Sequence, residues 1–288
     1  MRVIALGFFD GVHIGHRLLL DTCKSIAAEK GLTSAVLTFS SPPVSKTTQR
    51  VLSTQEEKTA ILREIGIEEL LLLPFDDRLR QMHWTEFAEL LGTGYMAKHL
   101  VIGKDFRFGF RAEGDALKLS EYCKKADIGI TVLSKVQTEG VAVSSSRIKA
   151  LLLAGKVAEA RDLLLEPYSL CGVVQKGKQL GRTLGYPTMN VRPAEEKILP
   201  LAGVYKTTAK IEGICYPAIT NIGKAPTFTE GDVLMETHLL GNVNGDFYGK
   251  TVRISFLRFI REERGFPSKD ALAAQIAQDI LAAKETSI

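Results

Sequence analysis

The pattern of apolar residues changes near the middle of the chain, and this change constrains the fold more than any other feature. Up to about residue 144, short apolar runs alternate with stretches whose apolar residues recur at helical spacing. Such alternation is typical of a parallel sheet covered by helices, an α/β fold. The predicted strands are Arg2–Leu6, Ser34–Phe39, Glu69–Leu73, His99–Ile102 and Ile130–Leu133, and the predicted helices are Arg17–Lys30, Gln55–Ile65, Thr85–Leu91 and Leu117–Ala126. Ser53 and Glu56 have the spacing of a capping box, which predicts the start of the second helix.

After residue 144 come two short helical stretches, Ser145–Ala154 and Val157–Leu165, and then β-rich runs separated by turns. The predicted strands there are Ser169–Gln175, Gly203–Ile211, Ile214–Ile222, Val233–Leu240 and Thr251–Phe259. This pattern is typical of an antiparallel barrel or sandwich. A last helix is predicted after Ser268 as N-cap, packed on the strands. The predicted domains are 1–155 and 168–288, joined by a linker helix at 156–167.

Length and composition favour an ordinary globular protein of two domains. The chain has 288 residues, of which 45% are hydrophobic and 24% charged, and its formal net charge is +4. That charge suits anionic nucleotides as ligands but falls short of a nucleic-acid-binding surface, so we expect no nucleic acid partner. No apolar run approaches the roughly 18 residues of a membrane span, and no signal peptide is recognisable, so a cytoplasmic location without a membrane is expected. The four cysteines lack metal or disulfide spacing.

The segment Gly7 to His16, sequence GFFDGVHIGH, lies between the first strand and the first helix. A helix N-terminus offers unpaired amides and a positive dipole end, which together bind anions such as phosphate. Glycines at 7, 11 and 15 allow close backbone approach. His13 and His16 are three residues apart and can face one anion. Two unrelated loop histidines are the alternative.

Two further segments of the first half carry groups suited to a nucleotide or a flat ring. The first, Gly103 to Gly109, places aromatic and cationic side chains side by side; a surface loop with its phenylalanines in the core is the alternative. The second, Ser144 to Lys149, opens a helix with three serines, so hydroxyls and amides can bind phosphate; simple capping by one serine is the alternative.

The second half contains the run GRTLGYPTMN at residues 181–190. In an extended segment Thr188 and Asn190 lie on one side, so two oxygens can bind one hard cation. Glu236 lies mid-strand among apolar residues, where a carboxylate needs either a bonding partner or a functional role. The alternative is that Glu236 is exposed on a solvent-facing edge. Gly172 to Gln179 has partial P-loop spacing but ends in Gln within a β-rich stretch, so we interpret it as a strand and turn.

These motifs, in this order, resemble those of the bacterial FAD synthetases, whose first domain belongs to the nucleotidylyltransferase superfamily. The resemblance implies a Rossmann-like nucleotidylyltransferase domain followed by a β-barrel riboflavin kinase domain with a terminal helix. It implies phosphorylation of riboflavin to FMN and adenylylation of FMN to FAD, both with Mg²⁺ and ATP. Glu236 would be the kinase general base, and His13 and His16 would stabilise charge during adenylyl transfer.

The resemblance also implies the binding residues. Nucleotide-binding residues would be Gly7, Phe8, Phe9, Asp10, Gly15, Ser144, Ser145, Ser146, Arg147, Lys178, Gly181 and Thr188. Flavin-binding residues would be Asp105, Phe106, Arg107, Phe108 and Arg182. Magnesium would be held by Thr188 and Asn190.

The chain departs from the family pattern at two places in its first half. Residues 40–43 are Ser-Ser-Pro-Pro where many members have Asp-Pro-His-Pro, and Ala142 stands where many have a basic residue. A kinase alone, with a weak, redox-selective or repurposed first domain, is therefore one alternative, and a flavin-sensing regulator is another. A monomer or weak homo-oligomer is expected.

Overall fold

The structure is a computed structural model, and it describes residues 1–40, 50–176, 185–224, 233–241, 243 and 245–284. The chain divides into two compact units, Met1–Ser145 and Ser146–Ile288. This division falls at the start of the helical stretch that follows Ser144, earlier than the predicted first-domain end at 155, and the predicted linker at 156–167 lies within the second unit. The predicted domain bounds stay a prediction.

The first unit is built on a five-stranded parallel sheet of order β3-β2-β1-β4-β5. The strands are β1 Arg2–Leu6, β2 Thr33–Phe39, β3 Glu69–Leu73, β4 Ala97–Gly103 and β5 Gly129–Leu133, and a short hairpin pairs β6 Gln137–Thr138 with β7 Val141–Ala142. The helices are α1 Ile14–Lys30, α2 Gln55–Glu64, α3 Asp77–Gln81, α4 Trp84–Glu89 and α5 Ala116–Lys125. Every predicted strand and helix of this half is present, with ends that differ by at most a few residues, whereas α3 and the β6–β7 hairpin were not predicted.

Both faces of the sheet are buried, which explains the nearly continuous apolar runs. In β1, Val3 and Ala5 join the core cluster on one face, whereas Ile4 and Leu6 join the cluster on the other. Strand order reverses between β1 and β4, and ligands of such sheets bind at the carboxyl ends of the strands beside that point. The fold thus places the turn after β1 where a ligand is expected.

The predicted capping box of α2 is wrong by one residue. Thr54, not Ser53, is the N-cap: its hydroxyl accepts from the Glu57 amide at 3.3 Å, and the Glu57 carboxylate accepts from the Thr54 amide at 3.0 Å. The Ser53 amide is instead bonded to Asp10, which holds this residue outside the helix. Both spacings satisfy the capping pattern, and only the long-range bond selects between them.

The second unit contains a closed antiparallel barrel of strand order β10-β11-β12-β9-β8-β13, which decides between the predicted barrel and sandwich. The strands are β8 Ser169–Gln175, β9 Thr188–Val191, β10 Gly203–Ile211, β11 Ile214–Lys224, β12 Val233–Leu239 and β13 Thr251–Glu262. The helices are α6 Ser145–Leu153, α7 Val157–Leu164 and α8 Lys269–Lys284. The Ala271 amide donates to the Ser268 hydroxyl at 3.1 Å, which confirms Ser268 as the cap of α8.

A row of three buried hydroxyls crosses the barrel interior. Thr220 on β11 is 2.9 Å from Thr207 on β10 and 2.9 Å from Thr237 on β12, oxygen to oxygen. All three residues are at most 1% exposed. Because alternate residues of a strand point to opposite faces, the neighbours of Thr237 point outward.

Helix α8 packs on the outer face of the barrel. Asp279, 3% exposed, accepts hydrogen bonds from the Arg261 guanidinium at 2.8 to 3.2 Å and from Gln275 at 2.8 Å. Arg258 adds a bond to the Ala282 carbonyl at 2.6 Å. These bonds fix the helix that covers one cavity of the unit. No helix in the described part of the chain is long and apolar enough to cross a membrane.

Candidate active sites

The turn after β1 presents two stacked histidines at the start of α1. His13 is the N-cap, and its Nδ1 accepts from the His16 amide at 3.4 Å. The two imidazole rings are parallel with centroids 3.7 Å apart, and the ring of Phe9 meets His16 edge-on at 5.2 Å. A Cβ at Gly15 would lie 3.3 Å from the His13 ring, so the glycine leaves room for the stack. The structure thus brings the two histidines together, and their binding of one anion stays a prediction.

Both histidines are neutral near pH 7. Burial lowers the pKa of His13 to about 4, against a smaller opposing effect of Asp10. Burial also lowers the pKa of His16 well below its usual range, with further effects from His13 and Lys58. The buried Nδ1 of His16 has no hydrogen-bond partner within the described residues. A buried ring nitrogen without a partner at a helix N-terminus needs an explanation, and a ligand that enters this turn would supply one.

Asp10 ties this turn to other segments. Its Oδ1 accepts from the amides of Leu52 and Ser53 at 2.7 and 3.2 Å, and its carbonyl accepts from the Ser145 hydroxyl at 2.9 Å. The side chain is 4% exposed. The structure therefore gives Asp10 and Ser145 a role in shaping the turn, and their predicted contact with nucleotide stays a prediction.

Sequence reasoning missed Lys58, which lies on α2 beside the same turn. The residue is 3% exposed, and its ammonium donates to the Phe8 carbonyl, the Thr38 hydroxyl and the Phe39 carbonyl at 3.3, 3.3 and 3.4 Å. It also lies 4.8 Å from the centroid of the Phe8 ring. Burial lowers its pKa to about 8. A buried cation thus stands behind the histidine turn.

Arg17, one residue after His16, is the second cation that sequence reasoning missed. Its Nε is buried and has no hydrogen-bond partner within the described residues. Its amide donates to the His13 carbonyl at 2.9 Å, which places it in the first turn of α1. The only available signal was its position in the sequence, directly after the second histidine.

A cavity of about 1130 Å³ opens at the carboxyl ends of β2, β3 and β4. Its wall includes Phe39, Phe75, Arg80, Arg107, Phe108 and Phe110. Of the four predicted flavin-binding residues in this unit, Arg107 and Phe108 line it. Phe108 is 7% exposed and its ring lies 5.2 Å from that of Phe87, so it belongs to the core as well as to the cavity wall.

Asp105 and Phe106 are not among the residues that line this cavity. Asp105 pairs with Lys135 at 2.9 Å on the surface. Phe106 packs on the core cluster, with its ring 5.5 Å from that of Phe108. Their predicted contact with flavin stays a prediction.

In the second unit, Asn190, Glu236 and Asn221 lie directly opposite one another on β9, β12 and β11. Directly opposed residues share a face, and this is the outer face covered by α8. Two cavities adjoin these strands, of about 580 and 640 Å³, and residues of α8 line the first. Glu236 and Asn221 line the first, and Thr188 lines both. Asn190 is 7% exposed beside Glu236 and lines neither cavity.

Glu236 is exposed toward the cavity rather than placed on a sheet edge, because β12 is paired on both sides. Partial burial by the cavity walls, and then the negative charge of Glu263, raise its pKa. The Glu263 carboxylate lies against Gly223, where any side chain would displace it. A carboxylate with a raised pKa in a cleft is suited to accept a proton.

Two family models match the chain, FAD synthetase over residues 1–147 and riboflavin kinase over residues 164–287. The bifunctional riboflavin kinase/FMN adenylyltransferase of Bacillus subtilis (strain 168) is 34% identical over 285 residues, covering 96% of this chain and 90% of that protein. The chain belongs to the bifunctional riboflavin kinase/FMN adenylyltransferase family. Its counterpart in Escherichia coli (strain K12) is 35% identical over 292 residues, covering 98% of this chain and 92% of that protein. A solved structure described as a macrolide-efflux protein from Streptococcus pneumoniae has a TM-score of 0.92 and 30% identity, and covers 99% of this chain and 95% of that chain.

Three predicted site residues of this family member, Lys178, Gly181 and Arg182, lie outside the described residues. The partial P-loop spacing at 172–179 begins within β8, and its last residues, 177–179, are outside the described part as well. Ser146 and Arg147 belong to α6, in its first turn. Ser144, Ser146 and Arg147 stay predicted nucleotide contacts.

Proposed function

We infer that this protein phosphorylates riboflavin to FMN in its second unit and adenylylates FMN to FAD in its first. The observation that carries the inference is that each unit of one chain has its own candidate site with suitable chemistry. The second has a carboxylate of raised pKa facing a cavity, and the first has a neutral histidine pair at a helix N-terminus. The family's curated members bear the names of both activities.

In the kinase step, Glu236 accepts the proton of the flavin's primary hydroxyl as its oxygen attacks the terminal phosphorus of ATP, and ADP leaves. A general base of this kind contributes about 10² to 10⁴-fold in rate. Thr188 and Asn190 offer neutral oxygens, which suit a hard cation that keeps water and phosphate ligands. Among the described residues there is no cluster of three His, Cys, Asp or Glu, so a magnesium ion would come with the phosphates of ATP. Magnesium supplies charge neutralisation on those phosphates.

In the adenylyl transfer step, a phosphate oxygen of FMN attacks the α-phosphorus of ATP, and pyrophosphate leaves. No protein nucleophile is required, so the first unit must align the reactants and stabilise charge. His13 and His16 act as neutral hydrogen-bonding groups on the phosphates, and the α1 dipole with its free amides adds positive potential. Lys58 and Arg17 supply the cationic charge that the family's basic residue, replaced by Ala142, does not.

The 1130 Å³ cavity is the proposed flavin site of the first unit. Phe39, Phe75 and Phe110 offer rings for stacking against the isoalloxazine, and Arg80 and Arg107 offer charge for its phosphate. Offset stacking of this kind is worth about 0.5 to 1.5 kcal/mol for each ring. The predicted cytoplasmic location and the monomeric or weakly associated state stay predictions.

The test is product analysis by chromatography after incubation with riboflavin, ATP and Mg²⁺, in air and under reducing anaerobic conditions. FAD in both supports the proposal, and FAD only under reduction supports a redox-selective first unit. FMN alone in both would contradict the adenylyl transfer, and flavin binding without ATP turnover would favour a regulator.

Matched variants assign the steps to the two units. Glu236→Gln is expected to abolish FMN formation but to retain FAD formation from added FMN, and His16→Ala is expected to do the reverse. Full kinase activity in Glu236→Gln would refute the base, and full adenylylation in His16→Ala would refute the histidine role.

A further inference from the structure

The two cavities of the second unit share three lining residues, Tyr186, Thr188 and His238. Ligands bound in the two cavities would therefore meet at this junction. In the proposed kinase, on which this inference rests, ATP and flavin occupy neighbouring sites, so the phosphoryl group crosses between them at such a junction. The residues there control its alignment.

His238 is bonded so that its tautomer is fixed. Its Nδ1 lies 2.9 Å from the Pro187 carbonyl oxygen, and a carbonyl only accepts, so Nδ1 carries the hydrogen. The ring also meets that of Tyr186 edge-on, with centroids 5.6 Å apart. His238 lies directly opposite Thr188 in the β12–β9 pair. Nε2 has no partner within the described residues.

Pro187 immediately precedes β9, and proline lacks an amide hydrogen. Its carbonyl is therefore the one backbone hydrogen-bonding group through which the start of this strand can be held at that residue. The bond from His238 uses that group, one residue before Thr188. Any displacement of Pro187 would move the Thr188 oxygen at the junction.

We propose that His238 is a positioning residue of the kinase site: through the Pro187 carbonyl it holds Thr188 where the two cavities join. The effect on the rate comes from the Nδ1 bond and not from contact between Nε2 and substrate. A small displacement of aligned groups can cost about 10²-fold in rate. Loss of the bond is therefore expected to lower kcat more than it raises either KM.

Two amide variants separate the ring nitrogens. Asn places its side-chain NH₂ close to the position of Nδ1 and can still donate to Pro187, whereas Gln places its amide near the position of Nε2 and cannot. We expect His238→Asn to keep kcat for riboflavin phosphorylation within about threefold of the wild type, and His238→Gln to lose about tenfold to a hundredfold. Riboflavin affinity, measured by quenching of its fluorescence, should stay within about twofold in both.

Each other result overturns the positioning role. If His238→Gln kept the kcat of the wild type and His238→Asn lost it, the effect would belong to Nε2. If kcat were kept in both variants, or fell equally in both, the bond to Pro187 would not determine the rate. A parallel loss of riboflavin affinity in His238→Gln would show general damage instead. Wild-type protein that makes no FMN would contradict the proposed function, a failure distinct from all of these.

Discussion

Lys58 is charged and buried in the first unit, and its burial should cost stability that depends on pH. Burial lowers its pKa from 10.5 to about 8. At 1.36 kcal/mol for each pH unit, this gap amounts to about 3 kcal/mol. This cost accompanies the proposed role of Lys58 as a cation behind the histidine turn.

The sign of the pH dependence follows from proton binding. Between pH 8 and pH 10.5 the unfolded chain keeps the Lys58 proton and the folded chain releases it. The unfolded state then binds more protons, so the free energy of unfolding rises with pH across this window. Below pH 8 the burial of the Lys58 charge lowers the free energy of unfolding by its full amount, and above pH 10.5 this destabilisation is absent.

The test compares wild type with Lys58→Met by urea unfolding at several pH values from 7 to 10.5. Trp84 is the single tryptophan of the chain, so its fluorescence reports on the first unit. The variant leaves three oxygen acceptors without the ammonium, but that loss is the same at every pH. The expected signal is therefore the difference between the two curves, which should grow by about 3 kcal/mol in favour of the wild type as pH rises.

Lys98→Met, at an exposed lysine of β4, is the matched control for removal of a lysine. Wild type and Lys58→Met curves that stay parallel from pH 7 to pH 10.5 would refute the reasoning. In that case the ammonium would not be destabilised by its surroundings, and its three bonds would compensate fully for burial.

Three further outcomes are expected. Glu263→Gln removes the negative charge beside Glu236 and should move the acidic limb of the kinase pH–rate profile to lower pH; an unchanged limb would exclude this coupling. Arg17→Met should raise the KM for ATP in adenylyl transfer by about tenfold, the value of one lost charge-assisted hydrogen bond, and steady-state kinetics with FMN would show it. Asp279→Ala should destabilise the second unit by about 3 to 5 kcal/mol, because it leaves the Arg261 charge unpaired under α8, and calorimetry showing no loss would count against a structural pair.

The order of the helices and strands, and the motifs that carry chemistry, could be predicted from the sequence. Periodicity is local, so strands such as β1 and β8 were predicted with their observed ends. The capping residue of α2 and the importance of Lys58 were not predictable, because both depend on contacts with the turn after β1, more than 40 residues away in sequence. The influence of Glu263 on Glu236 likewise depends on how two strands and a loop meet. Such contacts leave no periodic signal.

The threonine row in the barrel interior makes the active site sensitive to mutations outside it. A shift of β12 by one residue would turn Thr237 outward and Glu236 inward, and would take the Thr237 partner away from the Thr220 hydroxyl, while the Thr207–Thr220 bond between β10 and β11 would stay. The three interior hydroxyls thus favour a single alignment of β12 with its neighbouring strand. A substitution such as Thr220→Val, in the barrel interior, would remove both hydroxyl contacts and so weaken the alignment that turns the Glu236 carboxylate toward its cavity.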